Sequence, residues 1–246
     1  MKTTPQTYCR GLAPSPDVNA EEIDQLKARA DAALNNITFT LSYEEAARDC
    51  DLVIEAIAEN PDEKIAFYTE LAKHLPEKTI IATNSSTMLP SAFAQHTGRP
   101  EKYLAFHFAN EIWRNNTAEV LRHPETSKQA YDDVAEFAET ISMIPLKLQK
   151  EQPGYILNSL LVPFLSAAEA LLATGVADCE TIDKTWMLAT GAPLGPFRIL
   201  DIVGLTTAYS IGIMDPRSKD PSAVQGKVVA LLKGYIDEGK TGVNAG

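Results

Sequence analysis

Between residues 50 and 150 the sequence alternates short apolar runs with segments of helical periodicity. The runs at 52–57, 79–84 and 104–108 are short and nearly continuous, which is typical of parallel strands buried on both faces. A helix begins between the first two runs, where Asn60 is a good N-cap and Pro61 occupies the first helical position. This alternation predicts an α/β protein with a doubly wound sheet.

Further elements are predicted ahead of this region. Asn19, followed three residues later by Glu22, forms a capping box that predicts the start of a helix. The run 37–41 is β-branched and aromatic and predicts a strand. Ser42 and Glu45 repeat the capping box and predict a brief helix before the first buried strand.

The second half of the α/β region continues the pattern. The helix that begins after Asn60 carries apolar residues at helical spacing, and Pro76 is predicted to stop it. The remaining predicted elements are a short helix at 90–95 that ends at Gly98, a strand at 119–121, a helix at 128–141 and an edge strand at 144–148.

After Gln152, Pro153 and Gly154 the sequence changes character, because only helical patterns follow. The predicted helices are a long apolar one at 155–172 that contains Pro163, one at 179–187, one that starts near Leu194 and one at 222–235. We therefore predict two domains, an α/β domain at residues 1–150 and a helical domain at residues 151–246.

Charge and composition exclude several classes of protein. The chain is 45% hydrophobic and 22% charged, as soluble globular proteins are, and its net charge of −11 disfavours general binding of nucleic acid or anionic membrane. No apolar run reaches the roughly 18 residues of a membrane span. Three distant cysteines indicate a reducing cytoplasm rather than a disulfide framework, and the four scattered histidines do not have the spacing of a metal site.

Polar residues follow the predicted strands at the edge where an open α/β sheet carries its chemistry. Asn84 and Ser86 follow one strand, and His107 ends the next. Histidine takes and returns a proton near neutral pH, and a carboxylate such as Glu119 can fix its tautomer. From the residues alone, a histidine satisfied within a strand and a solvated glutamate are the commoner reading. Equally, Asn84 and Ser85 could cap a following helix.

Taken together, these residues resemble the 3-hydroxyacyl-CoA dehydrogenase family. The family's pattern is an Asn-x-Ser turn, a strand that ends in His-Phe-x-Asn, a Glu twelve residues after the His, and then Pro-Gly-(Phe/Tyr)-x-x-Asn. The matching residues are Asn84, Ser86, His107, Phe108, Asn110, Glu119, Pro153, Gly154, Tyr155 and Asn158, with Gly195-Pro196-Phe197 and Asp201-x-x-Gly204-Leu205 beyond them. The resemblance spans roughly residues 50 to 246.

The resemblance implies an NAD-dependent oxidoreductase that interconverts 3-hydroxyacyl-CoA and 3-oxoacyl-CoA, with short acyl chains, in fatty-acid or butanoate metabolism. It implies that His107 is the general base, that Glu119 is its partner, and that Ser86 and Asn158 bind the substrate oxygen. The family positions that touch the nicotinamide cofactor fall on Glu59, Lys64, Asn84 and Ser86. From the residues alone, Lys64 could equally be a solvated charge on a helix flank. The resemblance also implies a Rossmann-type cofactor domain and a helical domain that forms a homodimer.

Two departures from the family weaken these expectations. Glu111, Ile112 and Trp113 stand where relatives commonly continue with a proline, so the acyl or CoA preference is open. None of the 13 glycines forms a G-x-G, and the sheet is expected to lack its first strands and glycine loop. The chain then looks truncated at both ends. Binding of NAD should be poor, and the alternatives are a non-catalytic remnant that folds or dimerises and a dehydrogenase of 3-hydroxy acids without CoA.

Overall fold

A computed structural model describes residues 20–245 of the chain. It divides into two compact units, one ending at Tyr155 and the other beginning at Ile156. The predicted capping box of Asn19 and Glu22 involves side chains that lie outside the described part. Within that part, no helix is long and apolar enough to cross a lipid bilayer.

The first unit is built on a five-stranded sheet. In spatial order, its strands are β1 (Leu52–Glu55), β2 (Ile80–Thr83), β3 (Tyr103–Phe108), β4 (Thr117–Leu121) and β5 (Ile144–Leu148). The first three run parallel, β4 is antiparallel to β3, and β5 is parallel to β4. The predicted α/β fold of Rossmann type is therefore confirmed, with β1 and β5 as the edges of the described sheet.

The helices described in this unit are α1 (Ala20–Asn35), α2 (Tyr43–Ala47), α3 (Pro61–Leu71) and α4 (Lys128–Thr140). The side chain of Ser42 caps α2 by accepting the amide of Glu45 at 3.2 Å. Asn60 caps α3 by accepting the amides of Asp62 and Glu63. These caps satisfy amides that have no partner inside the helix, as the sequence pattern predicted.

Both faces of the central strands are covered. On one face, Phe106 of β3 packs in a core with Val134 of α4. On the other face, Ile81 of β2 packs in a second core with Tyr68 of α3. Because side chains alternate across a strand, two apolar layers require nearly continuous apolar sequence, which explains the runs in β2 and β3.

Residues 37–41 do not form the predicted strand. Ile37, Phe39 and Leu41 alternate as strand residues do, but all three side chains are exposed. Within the described sheet no strand pairs with this segment. High β-propensity reflects packing on a pleated surface rather than an intrinsic backbone preference, so without a neighbouring strand the segment stays irregular.

The predicted end of α3 at Pro76 is also wrong, because the helix ends at Leu71. The chain beyond the helix runs through a turn, in which the guanidinium of Arg99 donates hydrogen bonds to the carbonyls of Leu75 and Pro76. The predicted helix at 90–95 is replaced by two 3-10 turns, at Pro90–Ala92 and Ala94–Thr97. Segments this short favour the tighter geometry, and Gly98 closes the second turn with a left-handed φ of 66° as predicted.

The second unit is helical in the part that the structure describes. Its helices are α5 (Leu157–Ala173), α6 (Cys179–Thr190), α7 (Pro196–Val203), α8 (Leu205–Gly212) and α9 (Val224–Asp237). Leucines from four of them share one core: Leu165, Leu200, Leu205 and Leu232. The sequence pattern did not separate α8 from α7, although Gly204 divides them with a φ of 92°.

The helix predicted to start near Leu194 begins at Pro196 instead, because its N-terminus is capped from another helix. The carboxylate of Asp183 in α6 accepts the amides of Phe197 at 2.8 Å and Arg198 at 3.1 Å. Gly195 is required for this close approach, since a Cβ there would lie 2.2 Å from the Asp183 Cγ. A cap supplied from a different helix leaves no local sequence signal.

Candidate active site

The carboxyl ends of β2 and β3 bring the predicted polar residues together. Ser86 follows β2, and His107 is the penultimate residue of β3. Because β4 runs antiparallel to β3, the chain returns so that Glu119 lies directly opposite His107 in the sheet register. Residues in register opposite one another have adjacent side chains, which explains why a spacing of twelve residues forms a pair.

His107 and Glu119 form a buried pair. His107 Nδ1 lies 3.0 Å from Glu119 Oε2, and both residues are at least 95% buried. A carboxylate only accepts, so Nδ1 carries the proton and donates it to Glu119. The second ring nitrogen, Nε2, is then left with its lone pair and can act as a base.

Ser86 occupies that second position. Its Oγ lies 3.2 Å from His107 Nε2, so the hydroxyl donates to the ring nitrogen. The peptide amide of Ser86 donates to Glu59 Oε1 at 2.7 Å, and the hydroxyl of Ser85 donates to the same carboxylate at 2.8–2.9 Å. The turn formed by Ser85 and Ser86, called here the serine turn, is therefore held in place by Glu59. The Ser86 hydroxyl is directed at His107.

Asn84 and Ser85 have local structural roles, but neither caps an α-helix as the residues alone had allowed. The side-chain carbonyl of Asn84 accepts the amide of Phe108 at 3.0 Å, which joins the ends of β2 and β3. The hydroxyl of Ser85 accepts the amide of Met88 at 3.0 Å. It thereby caps a turn rather than an α-helix.

Lys64 lies below this site, in a fully buried ion pair with Glu55 at 2.7 Å. Burial alone would raise the pKa of Glu55, but hydrogen bonds from Lys64, Tyr68, Thr83 and the Ile57 amide outweigh it and hold that pKa below its usual value. Lys64 is neither a solvated charge nor exposed toward a ligand. Its predicted contact with a cofactor stays a prediction, and Glu55 holds its ammonium group inside the unit.

Asn158 is the second residue of α5, in the helical unit, and is partly buried. Its predicted role in binding the substrate oxygen stays a prediction.

Sequence reasoning assigned no role to Tyr155, although it belongs to the motif. Its ring stacks on the imidazole of His107, with 4.6 Å between the centroids and 8° between the planes. Its hydroxyl donates to the Ser85 carbonyl at 2.8 Å. One sequence signal could have pointed to Tyr155: it is an aromatic residue directly after a glycine at the end of the α/β region. The start of a helix ordinarily requires neither a glycine nor an aromatic residue at these positions.

The nicotinamide end of a dinucleotide fits this edge of the sheet, because the strand ends present a histidine base, serine hydroxyls and a carboxylate together. The pyrophosphate end has no counterpart in the sequence, which contains no G-x-G. When bound, NAD would supply the hydride acceptor.

A Rossmann-type sheet with a carboxylate-oriented histidine at its strand ends fits the class of NAD-dependent dehydrogenases. Residues 14–152 match the model of the 3-hydroxyacyl-CoA dehydrogenase NAD-binding domain, and residues 154–246 match that of the C-terminal domain. The chain belongs to the 3-hydroxyacyl-CoA dehydrogenase family. The predicted family and its cofactor, NAD, are thereby confirmed.

Individual relatives agree with this assignment. The chain is 33% identical to the 3-hydroxybutyryl-CoA dehydrogenase of Clostridioides difficile over 76% of its own length and 66% of the relative's. It is 35% identical to the mitochondrial hydroxyacyl-coenzyme A dehydrogenase of Sus scrofa, over 81% of this chain and 65% of that one. The chain thus spans about two thirds of the length of these relatives.

Solved structures give the same fold. A diketoreductase, described as acting on dicarbonyl compounds, is 48% identical with a TM-score of 0.81, over 94% of this chain and 86% of that chain. The (S)-3-hydroxybutyryl-CoA dehydrogenase PaaH1 of Ralstonia eutropha is 26% identical with a TM-score of 0.76, over 98% and 81%.

Proposed function

We propose that this protein interconverts 3-hydroxyacyl-CoA and 3-oxoacyl-CoA with NAD, on short acyl chains, in fatty-acid or butanoate metabolism. The observation that carries the proposal is His107, held between the Glu119 carboxylate and the Ser86 hydroxyl at the carboxyl ends of the strands. This arrangement suits the oxidation of a secondary alcohol, which requires a base for the hydroxyl proton.

The proposed chemistry of the chain follows from the tautomer of His107. In the oxidation, Nε2 accepts the proton of the substrate hydroxyl as the carbon gives up its hydride. Glu119 stabilises the imidazolium that results, since a carboxylate already accepts from Nδ1. In the reduction, the imidazolium returns the proton to the substrate oxygen.

Ser86 and Asn158 are proposed to bind the substrate oxygen. The hydroxyl of Ser86 already occupies the hydrogen-bonding position at Nε2 that a substrate hydroxyl needs. A substrate oxygen bound there would exchange places with Ser86 as the partner of Nε2, and the serine hydroxyl would then donate to that oxygen. Donors aimed at an oxygen that gains negative charge lower the barrier by electrostatic stabilisation.

NADH oxidation with acetoacetyl-CoA tests the proposal, with His107→Gln as the control. Turnover by the parent that disappears in His107→Gln would support the proposed dehydrogenase activity. If the chain does not turn over even when a strand–glycine loop–helix segment of a relative is added upstream, the non-catalytic alternative would replace it.

A second candidate is the reduction of dicarbonyl compounds that carry no CoA. It is favoured by the 48% identity to the diketoreductase and by the loop after Asn110, which lacks the usual proline and has Glu111 at a φ of 56°. Comparing acetoacetyl-CoA with an acetoacetate ester as substrates separates the two. A higher kcat/KM for the ester would assign the dicarbonyl activity.

We also propose a homodimer formed through the helical unit, where Leu160, Val176 and Leu188 are exposed apolar side chains. Light scattering after gel filtration should give twice the 26.8 kDa chain mass. Leu160→Glu should shift the mass toward the monomer, whereas Glu180→Gln, at a solvated ion pair, should leave it unchanged. A monomeric parent would contradict the proposal.

A cytoplasmic location is proposed from the cysteine pattern. Cys50 and Cys179 are free thiols in the structure, as a reducing compartment permits.

A further inference from the structure

Tyr155 is held in a backbone conformation that a side-chain-bearing residue rarely adopts. Its φ is 55°, and Gly154 before it has a φ of 77°. Such a conformation costs on the order of 1 kcal/mol or more in a non-glycine residue and persists only where the surroundings require it. Here it accompanies an almost fully buried ring that lies parallel to the imidazole of His107.

The hydroxyl of Tyr155 binds the turn that carries Ser86. It donates to the Ser85 carbonyl at 2.8 Å, and the carboxylate of Glu59 accepts from the Ser85 hydroxyl and the Ser86 amide. Burial, together with the nearby Tyr103 and the carboxylates of Glu59, Glu119 and Glu151, raises the pKa of Tyr155 far above its usual value. The phenol therefore remains protonated and remains a donor.

One side chain thus contacts both His107 and the residue next to Ser86: its ring lies on the imidazole, and its hydroxyl binds the carbonyl of Ser85. We propose that Tyr155 is a positioning residue that sets the orientation of the His107 ring and the separation between Nε2 and the Ser86 hydroxyl. The proposal rests on the proposed function, because positioning matters only if Nε2 exchanges a proton with a substrate. It adds to the dyad a residue that prevents rotation of the imidazole about its Cβ–Cγ bond.

Two kinds of variant separate the contributions of the ring and the hydroxyl. Tyr155→Phe keeps the ring over His107 and removes the bond to Ser85. Tyr155→Leu removes both. The matched control is Tyr131→Leu, since Tyr131 is a buried tyrosine of the same unit whose hydroxyl also donates to a backbone carbonyl, that of Leu148 at 3.0 Å.

The primary measurement is the nitrogen-15 spectrum of the histidine side chains at a pH where imidazoles are neutral, in the full chain without substrate. The parent and Tyr155→Phe should show His107 with a single tautomer, protonated at Nδ1. Tyr155→Leu should show a mixture of tautomers, while Tyr131→Leu retains the single one. A single tautomer in Tyr155→Leu, or a mixture in the control as well, would overturn the proposal.

A second measurement tests the proposal if the Tyr155→Leu variant does not fold, because it uses Tyr155→Phe instead. In Tyr155→Phe, hydrogen exchange at the Ser86 amide should accelerate about tenfold relative to Tyr131→Phe, as expected for the loss of one neighbouring hydrogen bond. Unchanged exchange would contradict the role of the hydroxyl. Where turnover is present, Tyr155→Phe should lower kcat with little change in KM, because the ground-state contacts remain. Both spectroscopic readings are independent of turnover, so a failed enzyme assignment would not affect them.

Discussion

The His107–Glu119 pair requires a carboxylate, because a carboxylate only accepts a hydrogen bond from the ring. Glu119→Gln keeps the size of the side chain but allows an amide to donate to the ring, which removes the preference for a proton on Nδ1. We expect kcat to fall by about 10² to 10⁴, the range for loss of general base function, with the fold unchanged. His107→Gln should abolish turnover altogether. Steady-state kinetics and far-ultraviolet circular dichroism check both, and a variant at His107 with full turnover would refute the base.

The buried ion pair below the site makes a different prediction, about stability. Lys64→Met leaves the Glu55 carboxylate buried with its phenol, hydroxyl and amide donors but without its cation. Removing one partner of a buried pair costs about 3 to 5 kcal/mol, so urea denaturation should show a large decrease in the free energy of unfolding. Lys78→Met, at an exposed pair with Asp51, is the control and should change little.

The same substitution tests the family-based assignment of Lys64 to the cofactor. If Lys64 touches NAD, affinity for NADH should fall in Lys64→Met by more than the loss of folded protein accounts for. If the lysine serves only Glu55, the folded fraction should bind NADH as the parent does.

At the scale of residues, the resemblance to the family implied the His107–Glu119 dyad, whereas the residues alone favoured a strand histidine and a solvated glutamate. The contact itself follows from the antiparallel register of β3 and β4, which places the two residues opposite one another. The sequence did not predict that Glu59 binds the serine turn or that Lys64 is buried. Those facts depend on the distance between α3 and the strand ends, which no local spacing encodes. Tyr155 was missed for a related reason: its role requires a positive φ, and outside glycine such a conformation has no sequence signature.

In the helical unit, α5 carries a glutamate on its buried face. Glu169 is 92% buried, and its Oε1 has no hydrogen-bond partner among the described residues. Desolvation by burial raises its pKa to about 7 from the ordinary 4.5. In the unfolded chain the carboxyl ionises at its ordinary pKa, so folding holds a proton that the unfolded state releases.

The sign of the pH dependence follows from this difference. Below about pH 4.5 the Glu169 carboxyl is protonated in both states, so its ionisation does not affect stability. Between that pH and about 7 it ionises only in the unfolded state, which lowers the free energy of the unfolded state relative to the folded one. We expect the contribution of Glu169 to the free energy of unfolding to fall by on the order of 2 kcal/mol as the pH rises through this window. Urea midpoints read by helical circular dichroism across the window measure it.

Glu169→Gln removes the ionisation and should flatten that part of the profile, with higher stability than the parent at the alkaline end. The control is Glu180→Gln on α6, an exposed residue paired with Lys184, which should leave the profile unchanged. A parent profile that rises with pH in parallel with Glu169→Gln would show that Glu169 is not protonated in the folded state.

At the scale of elements, prediction succeeded where the signal was local and failed where a partner decided the structure. The caps at Ser42 and Asn60 act within one turn, so they were visible in sequence. The segment 37–41 has the alternation of a strand, yet a strand also needs a neighbour, and none is present in the described sheet. The segment after α3 is held by Arg99, a residue more than twenty positions away, which binds the carbonyl of Leu75.

For the whole molecule, the question is how a chain of this family without a G-x-G holds a dinucleotide. The glycines of that motif allow the backbone to approach the pyrophosphate, and the helix behind them offers its amides to the phosphates. The groups at the described strand ends are proposed to face the nicotinamide end. A chain that holds only the nicotinamide end should bind NADH about 100-fold or more weakly than one with a pyrophosphate site, which is the effect of two charge-assisted hydrogen bonds of about 1.5 kcal/mol each.

Fluorescence titration with NADH and with reduced nicotinamide mononucleotide measures this directly, because the second ligand lacks the adenosine half. If only the nicotinamide end is bound, the two dissociation constants should agree to within a few-fold and both should be weak. A domain with a complete pyrophosphate site would instead prefer NADH by orders of magnitude. That preference in this chain would mean that other backbone amides hold the pyrophosphate, and it would overturn the prediction drawn from the 13 isolated glycines.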